Sequence, residues 1–356
     1  MKPGRLILAG GSGFLGQALA RHFLALGWEV LVLTRWPRAH AAAPELRWDG
    51  ATLDDWAREL DGATALVNLS GRTVDCRYTA RNRREIMESR VKPTRVLGEA
   101  VAGCAQPPRV WLNASSATIY RHTRGPAWDE SGKDFAATPE VKDEFSLEVI
   151  HAWEWAFFRE DSGAGVPPAG AGVSSAEQFP DVLHGRDAGG GRRDACPTMD
   201  RLEACPTRKV ALRTTMVLGH ARNSVFPVLC RLARLGLGGP MGSGQQFVSW
   251  LHETDFCRAV EFVIAREDFS GPVNLAAPNP LPNAEMMRAF RELVGVPFGL
   301  PATEWMLELG AFFLRTETEL ILKSRRVVPG RLLAAGFEFR FAHFHDALAD
   351  LAAAGR

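Results

Sequence analysis

Charge of one sign, long apolar runs and paired cysteines are all missing from this sequence. Across 356 residues, 42 Lys and Arg stand against 41 Asp and Glu, a formal net charge of +1. Bulk electrostatics therefore give no reason to expect nucleic-acid or membrane partners. No apolar stretch reaches the roughly 18 residues that a membrane span needs. Cys76, Cys104, Cys196, Cys205, Cys230 and Cys257 are scattered, with no Cys-x-x-Cys and no zinc-ligand spacing. Reduced thiols in a cytoplasmic protein are the expectation. The chain enters an apolar strand within a few residues of its start, so no signal or transit peptide is expected. Apolar residues make up 46% and charged residues 23%, the balance of a globular protein. The length suits one large domain or two unequal ones.

What is present is concentrated in residues 5–38, RLILAGGSGFLGQALARHFLALGWEVLVLTRWPR. Leu6-Ile7-Leu8-Ala9 is a short apolar run of the kind a parallel strand covered on both faces needs. Gly10, Gly11, Gly13 and Gly16 follow at once, satisfying both Gly-x-x-Gly-x-x-Gly and Gly-x-Gly-x-x-Gly. In such a turn one glycine permits the tight bend, one lets backbone N–H groups approach a pyrophosphate, and one lets helix and strand pack closely. A helix from about Gly13 to Leu26 aims its positive N-terminus at the same place. Glu29-Val30-Leu31-Val32-Leu33 is the second strand. An acidic residue after it would bind the ribose hydroxyl of NAD. This chain has Thr34-Arg35-Trp36-Pro37-Arg38 instead, and two arginines there suit the 2′-phosphate of NADP.

The first half continues to alternate strand and helix. Strands are expected at residues 45–49, 63–69 and 109–114, and helices at 53–60 and 81–102, with Pro93 a kink or a start in the second. A helix over residues 143–159 carries Phe145, Val149, Trp153 and Phe157 on one stripe. The aromatics Trp153, Trp155, Phe157 and Phe158 are read as core or subunit packing before any stacking platform. Residues 161–207 are rich in Gly, Ala, Pro, Asp and Arg, lack an apolar period and contain the near-repeat Ala195-Cys-Pro-Thr198 and Ala204-Cys-Pro-Thr207. They read as a disordered or loosely packed insertion, read-through or mis-joined coding sequence being one account of it. Arg208 then resumes a clean strand. Further strands are expected at 247–252 and 273–276, and helices at 225–235 and 254–265. The fold class is α/β: a doubly wound parallel Rossmann sheet at residues 1–160 and 208–222, and a smaller C-terminal α/β substrate lobe at 223–356.

The opening fingerprint, Asn68-Leu69-Ser70-Gly71 and Ser115-Ser116-Ala117-Thr118-Ile119-Tyr120 resemble an atypical or extended short-chain dehydrogenase/reductase. Ser89-Arg90, the run Gly239-Pro-Met-Gly-Ser-Gly244 leading to Ser249-Trp250-Leu251-His252, and Asn274-Leu275-Ala276-Ala277-Pro278-Asn279-Pro280 narrow the likeness. Together they are similar to YfcH-like epimerase-family proteins, whose C-terminal segment is a domain of unknown function, here about residues 280–356. The resemblance implies NADP in the Rossmann domain. Gly10, Gly13, Phe14, Leu15 and Gly16 would line the pyrophosphate, and Thr34, Arg35 and Arg38 the adenosine phosphate. Leu69, Ser70 and Gly71 would pass the ribose, Ser115 and Ser116 would stand near the nicotinamide, and Arg90 is counted with the cofactor residues. It also implies a possible homodimer.

The resemblance does not carry the reaction with it. The superfamily's acid–base pair is Tyr-x-x-x-Lys, in which the lysine lowers the tyrosine pKa. This chain has two tyrosines. Tyr78 is followed four residues later by Asn82, and Tyr120 by Arg124. Three readings remain. Ser116 and Tyr120 share the proton work with a water; Lys142, Glu148 or His252 acts instead, His252 equally suiting a cap for the following helix; or the protein binds NADP without turnover. The expected function is an NADP-dependent oxidoreductase or epimerase-like enzyme on a small sugar-like or nucleotide-linked molecule. The alternative is a non-catalytic NADP(H)-binding regulator or scaffold. No metal site is expected.

Overall fold

The structure is a computed structural model, and it describes residues 2–141, 143–158, 207–221, 224–302 and 323–354. Most of the expected insertion, residues 161–206, and Lys142 lie outside the described residues.

Seven parallel strands form the main sheet: β1 (Arg5–Ala9), β2 (Glu29–Thr34), β3 (Glu45–Arg47), β4 (Ala65–Asn68), β5 (Val110–Ser116), β6 (Arg208–Thr214) and β10 (Gly271–Leu275). Their order is β10-β6-β5-β4-β1-β2-β3. The order reverses at β1, which pairs β2 on one side and β4 on the other. In open α/β sheets the crevice at such a reversal, beyond the carboxyl ends of the strands, is where ligands bind.

Leu6 to Ala9 of β1 are all buried, so both faces of the strand need cover. Leu6 and Leu8 point into one core, with Phe23 of α1 (Phe14–Ala25) and Phe256, Val260 and Val263 of α5 (Glu253–Ala265). Ile7 and Ala9 point into the other. There they meet Val96 and Leu97 of α2 (Ala80–Ala102) and Phe157 of α3 (Glu144–Phe158). A third cluster lies beyond the sheet. It joins Leu218 of β7 (Met216–Leu218), Leu229 of α4 (Val225–Arg234), Trp250 of β9 (Trp250–His252), Phe290 of α6 (Asn283–Val294) and Leu348 of α8 (Phe344–Ala354). A short antiparallel pair, β8 (Phe247–Val248) with β11 (Leu281–Pro282), and the one-turn α7 (Gly330–Ala334) lie outside the main sheet.

Two local expectations give way. Residues 55–60 form a 3-10 turn, Asp55–Leu60, capped by the Asp54 carboxylate, although Trp56 and Leu60 are buried as their spacing requires. Pro93 neither starts nor ends a helix: α2 runs through it. Pro93, Thr94, Val96 and Leu97 are all buried, and that packing outweighs the roughly 3 kcal/mol that an interior proline costs. The aromatic stripe of α3 behaves as packing, with Phe145, Val149, Trp153 and Phe157 each at most 6% exposed.

Candidate functional site

The three glycine roles separate cleanly at the carboxyl end of β1. Gly10 has φ 70°, and a Cβ there would stand 2.8 Å from the Cα of Ser70, so it supplies both the tight turn and a close approach. A Cβ on Gly16 would run into the Gly11 carbonyl, so its absence lets α1 pack onto the turn. Gly13 caps α1 in an extended conformation, and a Cβ on it would meet no atom within 4 Å. No side chain caps this helix and no acidic residue sits in its first turn. Its leading N–H groups are thus left without a side-chain acceptor, the arrangement that receives a phosphate. Phe14 and Leu15 are half-buried behind them. Across the turn, Asn68 Oδ1 accepts from the Ser70 backbone N–H at 3.0 Å. The Ser70 Oγ is buried and has no hydrogen-bond partner among the described residues. Leu69 is fixed by its N–H to the Ala9 carbonyl at 2.8 Å.

After β2 the two arginines part company. Thr34 is buried and its hydroxyl donates to Ser12 at 3.1 Å, tying the strand end to the glycine turn. Arg35 is exposed and has no ionic partner among the described residues. Arg38, expected beside it, instead binds Glu45 at the start of β3. Its guanidinium lies 2.6 Å from one carboxylate oxygen and its backbone N–H 2.7 Å from the other. The hydrogen bond from Arg38 holds the Glu45 carboxyl below its usual range.

At the end of β5, Ser115 and Ser116 face different surroundings. Ser115 is buried and its hydroxyl donates to Glu154 of α3 at 2.6 Å. Glu154 receives both arms of Arg213 from β6, at 2.9 and 2.8 Å. Burial would push the Glu154 carboxyl up, but the Arg213 guanidinium outweighs it and holds the group below its ordinary value. Arg213 also donates to the Tyr120 hydroxyl at 3.1 Å, and Tyr120 donates to Asn274 of β10 at 2.9 Å. Tyr120, expected beside Ser116 in a substrate pocket, is thus 2% exposed with its hydroxyl engaged on both sides. Burial raises its pKa, so it is poorly suited to proton transfer. Ser116 is half-buried, and its Oγ accepts from the Thr118 N–H and donates to the Thr118 hydroxyl at 3.1 Å. From the C-terminal segment, Arg325 Nε donates to that Thr118 hydroxyl at 3.1 Å, and Lys323 donates to the Thr118 carbonyl at 2.7 Å. Lys323 also pairs with Asp143 at 2.6 Å, with both side chains fully buried.

Beside Ser116 lies a cavity of about 220 Å³. Ser116 and Thr118 line one side and Tyr78, Phe145 and Trp153 another, with Arg90 of α2 closing it. Arg90 stacks over the Trp153 ring at 5.2 Å, and a Cβ on Gly71 would stand 3.2 Å from its guanidinium carbon. Gly71 therefore makes room for Arg90. A larger depression of about 500 Å³, near Ala57, Glu99 and Cys104, lies by the C-terminus of α2. Those residues lead into the amino ends of β4 and β5, whereas the glycine turn follows the carboxyl end of β1.

The model of the NAD-dependent epimerase/dehydratase family matches residues 6–139, and that of a domain of unknown function, DUF1731, matches residues 302–351. An epimerase family protein of Mycobacterium leprae is 30% identical over 344 residues, covering 96% of this chain and 93% of the relative. The chain belongs to the epimerase family. Epimerase family protein SDR39U1 of Bos taurus is 28% identical over 355 residues, covering 98% of this chain and all of the relative. A crystal structure of the human SDR39U1 protein with NADPH superposes with TM-score 0.73 at 25% identity, covering 98% of this chain and 99% of that one. In this epimerase-family chain the expected residues Gly10, Gly13, Phe14, Leu15, Gly16, Thr34, Leu69, Ser70 and Gly71 lie at the carboxyl ends of the neighbouring strands β1, β2 and β4, and Arg35 follows Thr34.

Two of the substitutes considered for the missing acid–base pair are placed elsewhere. Glu148 is exposed. His252 is 2% exposed, and its Nδ1 accepts the Thr254 N–H at 3.1 Å as the cap of α5. Sequence reading missed Glu154, Arg213, Asn274, Thr118, Lys323 and Arg325. A signal existed for two of them. Arg213 interrupts the apolar strand Val210-Ala211-Leu212, and Glu154 stands between Trp153 and Trp155, positions where an unpaired charge would be too costly to bury.

Proposed function

We propose that this chain is an NADP(H)-dependent enzyme of the oxidoreductase or epimerase type that acts on a small molecule held beside Ser116. One observation carries the cofactor assignment. The uncapped head of α1 at Gly13, the buried Ser70 hydroxyl without a partner among the described residues and the ionically free Arg35 all follow the carboxyl ends of the neighbouring strands β1, β4 and β2. They match a diphosphate, a ribose and a 2′-phosphate in sequence. The human relative crystallised with NADPH supports the same choice. When bound, NADPH supplies a hydride. The residues of the chain supply the rest: Ser116 and Thr118 present linked hydroxyls to a carbonyl or alcohol oxygen in the cavity. Arg325 behind Thr118 favours the hydroxyl pair releasing a proton, because a fixed cation stabilises the charge left behind. A cavity of about 220 Å³ takes the small reacting part of a substrate; a nucleotide or sugar tail would extend beyond it.

The engaged Tyr120 hydroxyl favours a second reading, in which NADP(H) is bound without turnover. Fluorescence titration with NADPH and NADH separates the parts. Arg35→Ala is expected to weaken NADPH by about 1–3 kcal/mol, the worth of a charge-assisted hydrogen bond, and to leave NADH within twofold. Equal loss for both dinucleotides removes the 2′-phosphate assignment. NADPH oxidation with a panel of small carbonyl compounds, abolished in Ser116→Ala, supports the enzyme; stoichiometric binding with no oxidation by any of them supports the second reading.

A further inference from the structure

Among the described residues, Arg90 is the one charged residue lining the cavity beside Ser116. Two of its N–H groups donate to backbone carbonyls, Ile86 at 3.0 Å and Arg72 at 3.2 Å. A guanidinium has five donors, so three remain. No carboxylate pairs with it among the described residues. Partial burial pulls its pKa down to about 10, and its side chain is half-buried, so it is a cation partly withdrawn from water with no carboxylate beside it. Withdrawing a charge from water costs free energy that an anionic partner offsets. The rest of the cavity is aromatic, aliphatic or hydroxylic.

Resting on the reading of this cavity as the substrate site, we infer that its substrate is a small organic monoanion whose carboxylate pairs with Arg90. The fork geometry of a guanidinium matches a carboxylate in two parallel hydrogen bonds. One cation calls for one negative charge, and a phosphate dianion would bring a second that no lining residue compensates. The aromatic walls formed by Tyr78, Phe145 and Trp153 receive an apolar body. With the anion fixed at Arg90, the remainder of the molecule is directed across the cavity toward Ser116 and Thr118. Arg90 thus serves the substrate, not the dinucleotide with which its sequence position groups it. Gly71, whose lack of a Cβ admits the guanidinium, belongs to the same device.

The test uses the NADPH-loaded protein and three probes of one shape: benzoate, benzamide and phenyl phosphate, titrated calorimetrically. Benzoate is expected to bind at least about tenfold more tightly than benzamide, the worth of one charge-assisted pair, and at least as tightly as phenyl phosphate. Arg90→Gln should erase that advantage while NADPH affinity stays within twofold, and Arg90→Lys should keep part of it. Equal binding of benzoate and benzamide to the native protein overturns the inference, and needs no variant that must fold. A tenfold preference for phenyl phosphate overturns the carboxylate. Loss of NADPH binding in a folded Arg90→Gln returns the residue to the cofactor. If the native protein binds no NADPH, the cofactor reading fails by itself; the benzoate–benzamide comparison on the cofactor-free protein still decides the cavity.

Discussion

The two ends of the candidate groove are built by opposite means. The end at the glycine turn is made from backbone, within residues 10–35 and the Ser70 turn that they touch. The end at Ser115 is made from side chains. Its hydrogen bonds join residues 39 apart (Ser115 to Glu154), 59 apart (Glu154 to Arg213), 93 apart (Arg213 to Tyr120) and 154 apart (Tyr120 to Asn274). A backbone site can be local because N–H groups and missing Cβ atoms are fixed by φ, ψ and glycine alone. A side-chain site needs the whole sheet before its members meet. The first end should therefore tolerate change in the network, and the second should fail as a unit.

The largest effect that probes this difference comes from Glu154→Gln. It leaves the Arg213 guanidinium, only 2% exposed, without its carboxylate. Breaking a buried pair by neutralising one partner costs about 3–5 kcal/mol, which urea unfolding would read directly. The double replacement Glu154→Leu with Arg213→Met removes both charges and should recover most of that loss, since a well-packed apolar pair is often as stable as the ion pair it replaces. If Glu154→Gln costs less than about 1 kcal/mol, the side-chain end is not a cooperative unit and the contrast with the glycine turn fails.

A smaller effect separates a local polar contact from the network. His252 caps α5 two residues ahead of its partner, and burial pulls its pKa down to about 4 from 6.5. The folded state thus keeps it neutral while the unfolded chain binds a proton below pH 6.5. Its contribution is full above that value and is lost as pH falls toward 4. Between pH 7.5 and pH 5 the loss should be about 2 kcal/mol. His252→Asn retains a capping acceptor and should flatten that part of the stability profile. An unchanged slope would show that His252 does not titrate in this range on unfolding.

Legibility followed the same division. The alternation of strands and helices could be anticipated because apolar runs, glycine turns and helix periods are local signals, and β1, α1 and β2 stand within a residue or two of where those signals end. The 3-10 turn at Asp55–Leu60 was misjudged because burial of Trp56 and Leu60 is compatible with either helix type over so short a span. Tyr120 was misplaced for a different reason. Proximity to Ser116 in sequence says nothing of direction, and the 3-10 turn Ala117–Ile119 carries Tyr120 toward Arg213 and Asn274. The resemblance counts Arg90 with the dinucleotide residues; the packing of α2 on α3 brings it over Trp153 and beside Gly71, two contacts that sequence order alone does not show.

The smallest expected effect sharpens the backbone end itself. Arg35 and Arg38 look equivalent after β2, and the fold distinguishes them. Arg38 is bound to Glu45 through its backbone and its guanidinium, and it is half exposed. To reach a 2′-phosphate it would have to give up that carboxylate, gaining one anion by losing another, so the net change is small. Arg38→Ala should therefore alter NADPH affinity by less than about 1 kcal/mol, in the range of an exposed ion pair, and NADPH titration of the variant measures it. Its effect should instead fall on the β2–β3 edge, where Glu45 loses the partner that holds its carboxyl down. A loss of NADPH affinity equal to that of Arg35→Ala would mean that the Glu45 pair opens on binding, and that the 2′-phosphate is gripped by both arginines.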